Sequence, residues 1–300
     1  MTRGFITIAT GKEEYYQLAR NLLRSYRYFC KDPLPFAILA DRENEYTSAF
    51  DDVILFPNGA SNSYLDKLCL AEYAPYDTTV FIDADCLAYG DLNVLFDHFK
   101  DADDFSCFGR VLPLDDKTGW FEYENLGELQ EKVSYVVGLH GGIYYMRKGY
   151  TARKIFEDAR GFIPEYQKYR FQGHFDIGDE PLIALSMAVN NCHPISFIQE
   201  DICCYWEHIN RMRINISKGK ATVDGQYNTL LIHWGTRFTR ELEYRKQTAL
   251  LDILLTPDEN SKKRIAKCAS HYNRLMRRER MKCFADRVKN KIMRTIGIKK

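Results

Sequence analysis

The chain has 300 residues, of which 45% are hydrophobic and 28% charged, and its formal net charge is +1. This composition is typical of a globular protein without low-complexity tracts, large enough for one α/β domain with an appendage. No stretch approaches the roughly 18 apolar residues of a membrane span, and the first apolar run is too short for a signal sequence. The nine cysteines include no Cys-x-x-Cys pair, which argues against a zinc knuckle and favours reduced thiols in a cytosol.

The N-terminal part of the chain alternates between strand and helix patterns. Residues 4–9 are an apolar run typical of a buried strand, and residues 13–29 carry apolar side chains at helical spacing. Residues 36–40 and 52–56 predict two further strands. This alternation predicts a doubly wound parallel sheet, flanked by helices in Rossmann-like layers.

The main site candidate lies at the end of the next strand. Residues 80–82 are a β-branched and aromatic run typical of a buried parallel strand, and Asp83 and Asp85 follow it. Residues i and i+2 of a strand point to the same side, and open α/β sheets bind ligands at this end. A divalent cation is the usual way to hold two such carboxylates ionised. The pattern therefore predicts a metal and phosphate site.

Two neighbouring features bear on this site. A helix predicted over residues 61–72, with a Ser or Asn cap, leads into the strand and carries Lys67, either as a solvated lysine or as part of the site. The same Asp-x-Asp spacing recurs at Asp101 and Asp103. That second pair lies in a polar run, so we expect a solvated turn there.

The middle of the chain continues the alternation. Residues 92–99 predict a short helix and residues 105–108 a strand, whereas residues 111–135 are poorly patterned and predict a loop-rich excursion. Residues 151–166 predict a helix with one apolar stripe, and residues 202–206 predict a strand.

Glycines and acidic residues mark two further candidate positions. Gly141 and Gly142 precede a predicted strand over residues 143–146 and indicate either close approach of a ligand or a bulge. Asp179 and Glu180 open a predicted helix, where acidic residues complement the helix dipole.

The last predicted strand of the body, within residues 229–236, ends in His233, which is either a structural residue or a metal ligand.

A single long helix is predicted from about Pro257 onward, with an allowance for a break at Glu279. Residues 261–300 hold 15 Lys and Arg against 2 acidic residues, whereas residues 1–260 hold 27 against 39. Such a basic amphipathic helix can bind an anionic membrane, an acidic partner or the acidic body itself. Nucleic acid is disfavoured because no recognition motif accompanies the charge.

The order of these features resembles the GT-A nucleotide-sugar glycosyltransferases, and most closely the retaining branch with glycogenin and the lipopolysaccharide galactosyltransferases. The resemblance covers about residues 3–245. It implies a GT-A domain over residues 1–245 and a basic helical extension over residues 246–300. We expect a cytoplasmic hexosyltransferase, with residues 261–300 as a candidate contact for the inner face of a membrane.

The resemblance also implies roles for individual residues. Asp83, Asp85 and His233 would hold Mn²⁺, or Mg²⁺, on the diphosphate of a UDP-sugar, with Asp83 also near the ribose. Lys67 would contact the donor, and Thr10 would lie beside the base.

Further roles follow from the same resemblance. Gly141 and Gly142 would lie beside the donor. Asp179 and Glu180 would act at the reacting centre, on a hydroxyl of a carbohydrate, lipid-linked or protein acceptor. Retaining relatives have a Lys-Pro-Trp after the late His-x-x-Gly. This chain lacks it, which leaves Arg237 as a substitute phosphate contact and leaves open whether the sugar configuration is retained or inverted.

Two other functions fit part of the pattern. A phosphatase of the haloacid dehalogenase type also uses a strand-end Asp-x-Asp with Mg²⁺, but it requires Thr or Val where this chain has Leu87. The other alternative is a catalytically inactive GT-A scaffold that binds a partner through its tail.

Overall fold

The computed structural model describes residues 1–57, 60–61, 63–169, 177–196 and 202–295. The strands in these ranges are β1 (Arg3–Ala9), β2 (Phe36–Ala40), β3 (Asp52–Leu55), β4 (Thr78–Ile82), β5 (Cys86–Ala88), β6 (Phe105–Leu112), β7 (Val136–Arg147), β8 (Ile195–Ser196), β9 (Ile202–Cys204), β10 (Met212–Asn215), β11 (Lys220–Val223), β12 (Tyr227–Asn228) and β13 (Leu231–His233). The α-helices in these ranges are α1 (Glu13–Phe29), α2 (Leu70–Tyr73), α3 (Leu95–His98), α4 (Tyr150–Gly161), α5 (Tyr166–Tyr169), α6 (Asp179–Val189), α7 (Tyr205–His208), α8 (Leu242–Leu255) and α9 (Ser261–Thr295).

The central sheet has seven strands in the order β3-β2-β1-β4-β7-β6-β8. The first four run parallel to one another, and β6 and β8 run parallel to each other. Strand β7 is antiparallel to both of its neighbours, β4 and β6. The prediction of a mostly parallel central sheet flanked by helices is therefore confirmed. Among the described strands of this sheet, β7 is the one that departs from the parallel arrangement.

Both faces of the central strands are covered by helices, which is why these strands are apolar throughout. On one face Phe5 and Val80 pack with Leu22 of α1. On the other face Ile6 and Phe81 belong to the cluster that includes residues of α4 and α6. Each fully buried side chain of this size contributes about 1.5–3 kcal/mol. Burial on both faces thus fixes β1 and β4 at the centre of the sheet.

Strand β7 contains an irregularity that matters for the site. Gly141 and Gly142 lie inside β7, whereas the sequence placed them before a strand. The pairing of β7 with β6 shifts in register, because Cys107 pairs with Tyr144 and Gly109 pairs with Leu139. Residues 140–143 of β7 therefore stand opposite a single residue of β6. The bulge considered for these glycines is present.

Several predicted boundaries differ from those of the structure. The helix predicted over residues 151–166 ends at Gly161, because Pro164 lies in a separate 3₁₀ turn. The strand predicted over residues 202–206 ends at Cys204, where α7 follows. The helix predicted over residues 61–72 is largely a 3₁₀ segment, Tyr64–Cys69, capped by the Ser63 side chain. Residue 62, within the helix predicted over residues 61–72, and residues 296–300, at the end of the predicted long helix, lie outside the described residues.

A small second sheet, in the order β5-β13-β9, joins the end of β4 to the C-terminal part of the chain. Strand β13 is antiparallel to β5 and parallel to β9, so His233 stands opposite Cys86 on one side and Cys204 on the other. Because β5 begins directly after the Asp83 to Asp85 segment, this pairing brings His233 to the end of β4.

The basic tail forms one continuous helix, α9, without a break at Glu279. Ile265 and Cys268, near its start, pack against the hydrophobic cluster that contains Trp234. All side chains of residues 277–288 are exposed. Among the described residues, no helix is both long and apolar enough to cross a membrane.

The close packing at β1 gives a first prediction. Gly4→Ala is expected to destabilise the protein by roughly 1–3 kcal/mol. The reason is that a Cβ at Gly4 would lie 2.3 Å from the ring of Tyr76 and 2.7 Å from the carbonyl oxygen of Pro35. The matched control is Gly161→Ala, where a Cβ would meet no atom within 4 Å and helix propensity favours Ala by up to about 1 kcal/mol. Urea denaturation measures both variants, and equal midpoints would contradict this packing.

Candidate active site

The predicted Asp-x-Asp segment lies at the carboxyl end of β4, where the central sheet meets the small sheet. The backbone holds the segment from two sides. The amide of Asp83 donates to the carbonyl oxygen of Gly142 at 3.0 Å, and the amide of Trp234 donates to the carbonyl oxygen of Asp85 at 3.1 Å. Both carboxylates are therefore fixed between β7 and β13.

Lys67 is part of this site and is not a solvated lysine, since its side chain is only 15% exposed. Its Nζ lies 2.9 Å from Oδ1 of Asp83 and 3.3 Å from Oδ2 of Asp179. The hydroxyl of Tyr144 donates to the same Asp179 oxygen at 3.1 Å. Burial acts to lower the pKa of Lys67, but the carboxylates of Asp179 and Asp83 outweigh it and raise the pKa. Lys67 is thus a buried cation between two acidic side chains.

His233 faces the two aspartates from β13. Its Nε2 lies 3.0 Å from Oδ1 of Asp85 and 3.7 Å from Oδ2 of Asp83. Burial alone would lower the pKa of His233, but the two carboxylates raise it. Burial acts to raise the pKa of Asp85, yet the neighbouring imidazole lowers it overall, whereas burial prevails at Asp83 and raises its pKa. The two aspartates therefore differ in their tendency to carry charge.

The chemistry of these three side chains suits a divalent cation. Oδ1 of Asp85 is buried and receives no well-directed hydrogen bond from any described residue, although Nε2 of His233 is close to it. Carboxylate oxygens suit Mg²⁺ and Mn²⁺, and an imidazole among them favours Mn²⁺. The donor set of Asp83, Asp85 and His233 is therefore chemically compatible with the expected metal.

The two glycines of β7 make room for side chains of the site. The amide of Gly141 donates to Oε1 of Glu180 at 2.7 Å, and a Cβ on Gly141 would lie 2.5 Å from Cγ of that glutamate. A Cβ on Gly142 would lie 2.7 Å from the ring of His140 and 2.9 Å from Nδ1 of His233. The bulged segment thus lets Glu180 and His233 reach the end of β4.

Glu180 has an unusual environment at the start of α6. Burial, followed by the charge of Asp179, raises the pKa of Glu180 to about 7. Oε1 accepts the hydrogen bond from Gly141, and Oε2 receives none from the described part of the chain. Acidic residues at a helix start were explained above by the helix dipole, but these two also contact Lys67, Tyr144 and Gly141 across the sheet.

A cavity of about 240 Å³ opens beside the carboxylates. Its walls come from the ends of β1 and β4, from α1, and from the 3₁₀ segment that carries Lys67. The hydroxyl of Thr10 lines it and donates to Oδ2 of Asp66 at 3.1 Å. Arg237 does not line the cavity. It is exposed, with its guanidinium carbon 5.5 Å from the ring centre of Phe238.

The structure brings together most of the residues predicted for the site. Four of them line the cavity, namely Thr10, Lys67, Asp83 and Asp85. Asp179, His233 and Gly142 contact these lining residues. Gly141 and Glu180 contact each other beside them. Arg237 is not brought into this group. The second Asp-x-Asp pair lies elsewhere, with Oδ2 of Asp103 accepting from the amide of His193 at 2.8 Å.

Three residues beside His233 were not predicted to act at the site. Nε2 of His140 lies 2.9 Å from Sγ of Cys204 and 3.4 Å from Nδ1 of His233. Burial, with the charges of His233 and Lys67, lowers the pKa of His140 to about 3. The ring of Trp206 lies 5.1 Å from that of His233. The sequence gives no spacing signal for Cys204 and Trp206, because they reach His233 through the pairing of β9 with β13.

Comparison with known proteins adds information on the fold. No protein-family model matches the sequence, and no curated protein sequence is significantly similar to it. The galactosyltransferase LgtC, solved in complex with donor and acceptor sugar analogs, superposes with a TM-score of 0.50 at 13% identity, covering 87% of this chain and 99% of that one. An active-site mutant of LgtC gives a TM-score of 0.53 with the same identity and coverage. This chain has the GT-A fold.

The resemblance that was drawn from the order of motifs is thus confirmed at the level of the fold. Mouse xyloside xylosyltransferase 1 in its apo form is also similar, with a TM-score of 0.48 at 12% identity, over 79% of this chain and 99% of that one. At 13% identity, the likeness to LgtC establishes the fold and assigns no roles to individual residues.

The raised pKa of Glu180 gives a pH prediction. The pKa of Glu180 is about 7 in the folded protein and 4.5 ordinarily, so the unfolded state loses this proton at a lower pH than the folded state does. Protonated Glu180 therefore contributes stability at low pH, and this contribution is lost as the pH rises through 7. Glu180→Gln keeps an acceptor for the amide of Gly141 but cannot ionise. The free energy of unfolding of Glu180→Gln, relative to wild type, is therefore expected to rise by roughly 3 kcal/mol between about pH 4.5 and pH 8.5.

This difference is measured by urea denaturation of the metal-free protein in the presence of a chelator. Glu157→Gln is the matched control, since it removes a carboxylate that is exposed on α4. A parallel pH dependence for wild type and Glu180→Gln would show that Glu180 ionises without penalty in the folded protein.

Proposed function

We propose that the protein is a metal-dependent glycosyltransferase that moves a sugar from a nucleotide diphosphate sugar, a UDP-sugar in our expectation, to a hydroxyl acceptor. One observation carries this proposal. Asp83, Asp85 and His233, from two different sheets, converge at the carboxyl end of a central strand in a GT-A fold, beside a cavity of about 240 Å³. The name of the similar structure LgtC, a galactosyltransferase with donor and acceptor analogs, agrees with this class of reaction.

The chain's own residues suit the departure of a nucleoside diphosphate. When bound by Asp83, Asp85 and His233, a divalent cation would supply Lewis-acid stabilisation of the negative charge on the leaving group. Lys67 adds a fixed positive charge from a buried position, where electrostatic stabilisation is stronger than in water. Thr10 places a hydroxyl on the cavity wall, where the base of the nucleotide is expected. Arg237 follows Thr236, which lines the cavity, and is retained as a candidate phosphate contact.

Asp179 and Glu180 have different environments and, we infer, different roles. Asp179 is held by Lys67 and Tyr144, which suits a group that orients the donor sugar. Glu180 has a pKa raised to about 7, and a general base works best when its pKa lies near the working pH. Glu180 is therefore our candidate for accepting the proton of the acceptor hydroxyl. Gly141 and Gly142 bring the backbone of β7 close to both groups.

Binding of nucleotide and metal tests this proposal. Thermal unfolding is followed with UDP, GDP or CMP, each with and without Mn²⁺. One diphosphate nucleotide together with Mn²⁺ is expected to raise the melting temperature by several degrees, because a ligand at about 100 times its Kd adds about 2.7 kcal/mol. Asp85→Asn and His233→Ala are expected to lose this rise.

Asp101→Asn is the matched control for this experiment. It removes a carboxylate from the other Asp-x-Asp pair, where the Asp101 side chain is 88% exposed, and it is expected to respond as wild type does. If no nucleotide changes the melting temperature with any metal, the transferase proposal fails. Release of phosphate from p-nitrophenyl phosphate would favour the phosphatase instead.

We propose in addition that residues 1–245 form the catalytic domain and that residues 246–300 attach it to an anionic membrane surface. Residues 261–300 carry 15 basic and 2 acidic side chains. On the fully exposed part of α9, Met281, Phe284 and Val288 recur at spacings of three and four and form one apolar stripe. An apolar stripe among basic side chains is the pattern of helices that lie on anionic lipid. A cytoplasmic protein bound to the inner face of a membrane fits this pattern.

Sedimentation with vesicles tests the attachment. The protein is expected to sediment with vesicles that contain about one third phosphatidylglycerol and to remain in solution with phosphatidylcholine alone, because basic side chains add about 1 kcal/mol each near an anionic surface. Phe284→Ser is expected to weaken binding several-fold through loss of buried apolar area. Tyr150→Ser is the control, since it removes an exposed aromatic side chain outside α9. Equal sedimentation with both vesicle types would refute electrostatic attachment.

A further inference from the structure

Trp206 is an exposed aromatic side chain beside the candidate metal ligands. It lies in α7, two residues after Cys204, which stands opposite His233 in the small sheet. Its side chain is 39% exposed, whereas Trp234 is completely buried. Burial does not account for an indole at this position, and the function proposed above gives it no role.

The position of the Trp206 ring is fixed by its neighbours. The ring stands at 76° to that of His233, with the centroids 5.1 Å apart. Gly235 has a φ of 71°, and a Cβ there would lie 3.1 Å from Cζ3 and 3.2 Å from Cε3 of Trp206. Any larger residue at Gly235 would be strained and would crowd the six-membered part of the indole. Glycine and imidazole thus hold the Trp206 ring on one side while another part of it stays in contact with solvent.

Such a surface suits a particular class of ligand. A pyranose presents a face of C–H groups and a rim of hydroxyls, so it can pack on an aromatic ring and hydrogen-bond around it. Nε1 of Trp206 donates no hydrogen bond to any residue that the structure describes, which leaves it available for a sugar hydroxyl. Trp206 does not line the cavity that contains Thr10 and the carboxylates, so that cavity provides a separate place for the nucleotide.

We propose that Trp206 forms the floor of the acceptor subsite and packs against the pyranose ring of the acceptor sugar. This inference rests on the proposed transferase function and adds the chemical class of the acceptor. It also gives Gly235 a role, because the absence of a side chain there permits the indole to lie against the loop that follows His233.

The experiment separates transfer to sugar from transfer to water. With Mn²⁺ and the donor that gives nucleotide release, initial rates are measured for donor hydrolysis and for transfer to methyl glycosides of glucose, galactose and mannose. Trp206→Leu keeps an apolar side chain without an aromatic face, and Trp206→Tyr keeps an aromatic face. Ile209→Ala, at an exposed position one turn along the chain, is the matched control.

We expect Trp206→Leu to raise the KM for the glycoside about 10-fold, and to lower the ratio of transfer to hydrolysis accordingly, because loss of an aromatic contact costs about 1.4 kcal/mol. Trp206→Tyr is expected to recover most of this loss, and Ile209→Ala to match wild type. An unchanged KM and ratio in Trp206→Leu would overturn the proposal.

A binding measurement keeps this test separate from the proposed reaction. Saturation-transfer NMR with the same methyl glycosides is expected to detect ring C–H signals for wild type and Trp206→Tyr, with at least a several-fold loss in Trp206→Leu. If no donor releases nucleotide but this difference persists, the subsite stands and the proposed reaction falls. If nucleotide is released and the glycoside signals do not depend on Trp206, the subsite falls and the proposed reaction stands.

Discussion

The site depends on the gathering of four acidic side chains at the end of β4. The carboxylates of Asp83, Asp85, Asp179 and Glu180 gather there, and among the described residues the basic side chains that contact them are the Lys67 ammonium and the His233 imidazole. The four acidic groups are affected unequally, because burial raises the pKa of Asp83 and Glu180 whereas the neighbouring His233 lowers that of Asp85. A buried excess of acidic groups is costly for stability alone. A site of this kind is suited to a ligand that brings positive charge.

Irregular backbone makes this concentration of side chains sterically feasible. The bulge at residues 140–143 places Gly141 and Gly142 against Glu180 and His233, where a Cβ would collide with either side chain. The bulge interrupts part of the hydrogen-bonded pairing between β6 and β7. The two glycines in it leave room for Glu180 of α6 and His233 of β13 at the end of β4.

Local patterns in the sequence were sufficient for the framework of the fold. The helical spacing over residues 13–29 predicted α1, and the unbroken apolar run before Asp83 predicted a buried central strand. The direction of β7, the burial of Lys67 and the position of Trp206 could not be predicted in this way. Each depends on pairing between distant segments, such as Cys204 with His233, and a short strand carries too little periodicity to reveal its partner. Asp83, Asp85 and His233 could be proposed as site residues because their side chains follow or end apolar strand patterns. The roles expected for Lys67, Asp179 and Glu180 came instead from the resemblance to GT-A glycosyltransferases.

The small sheet has a consequence for how the protein is made. Thr236 and Asp85 contact each other across 151 positions of sequence, and β13 closes the sheet that contains β5. During synthesis, Asp83 and Asp85 therefore leave the ribosome well before His233, which faces them in the folded protein, has been made. Contacts of such long range form late and slowly. While residues 86–232 are being synthesised, Lys67 is the cation of this site that already exists and can face Asp83.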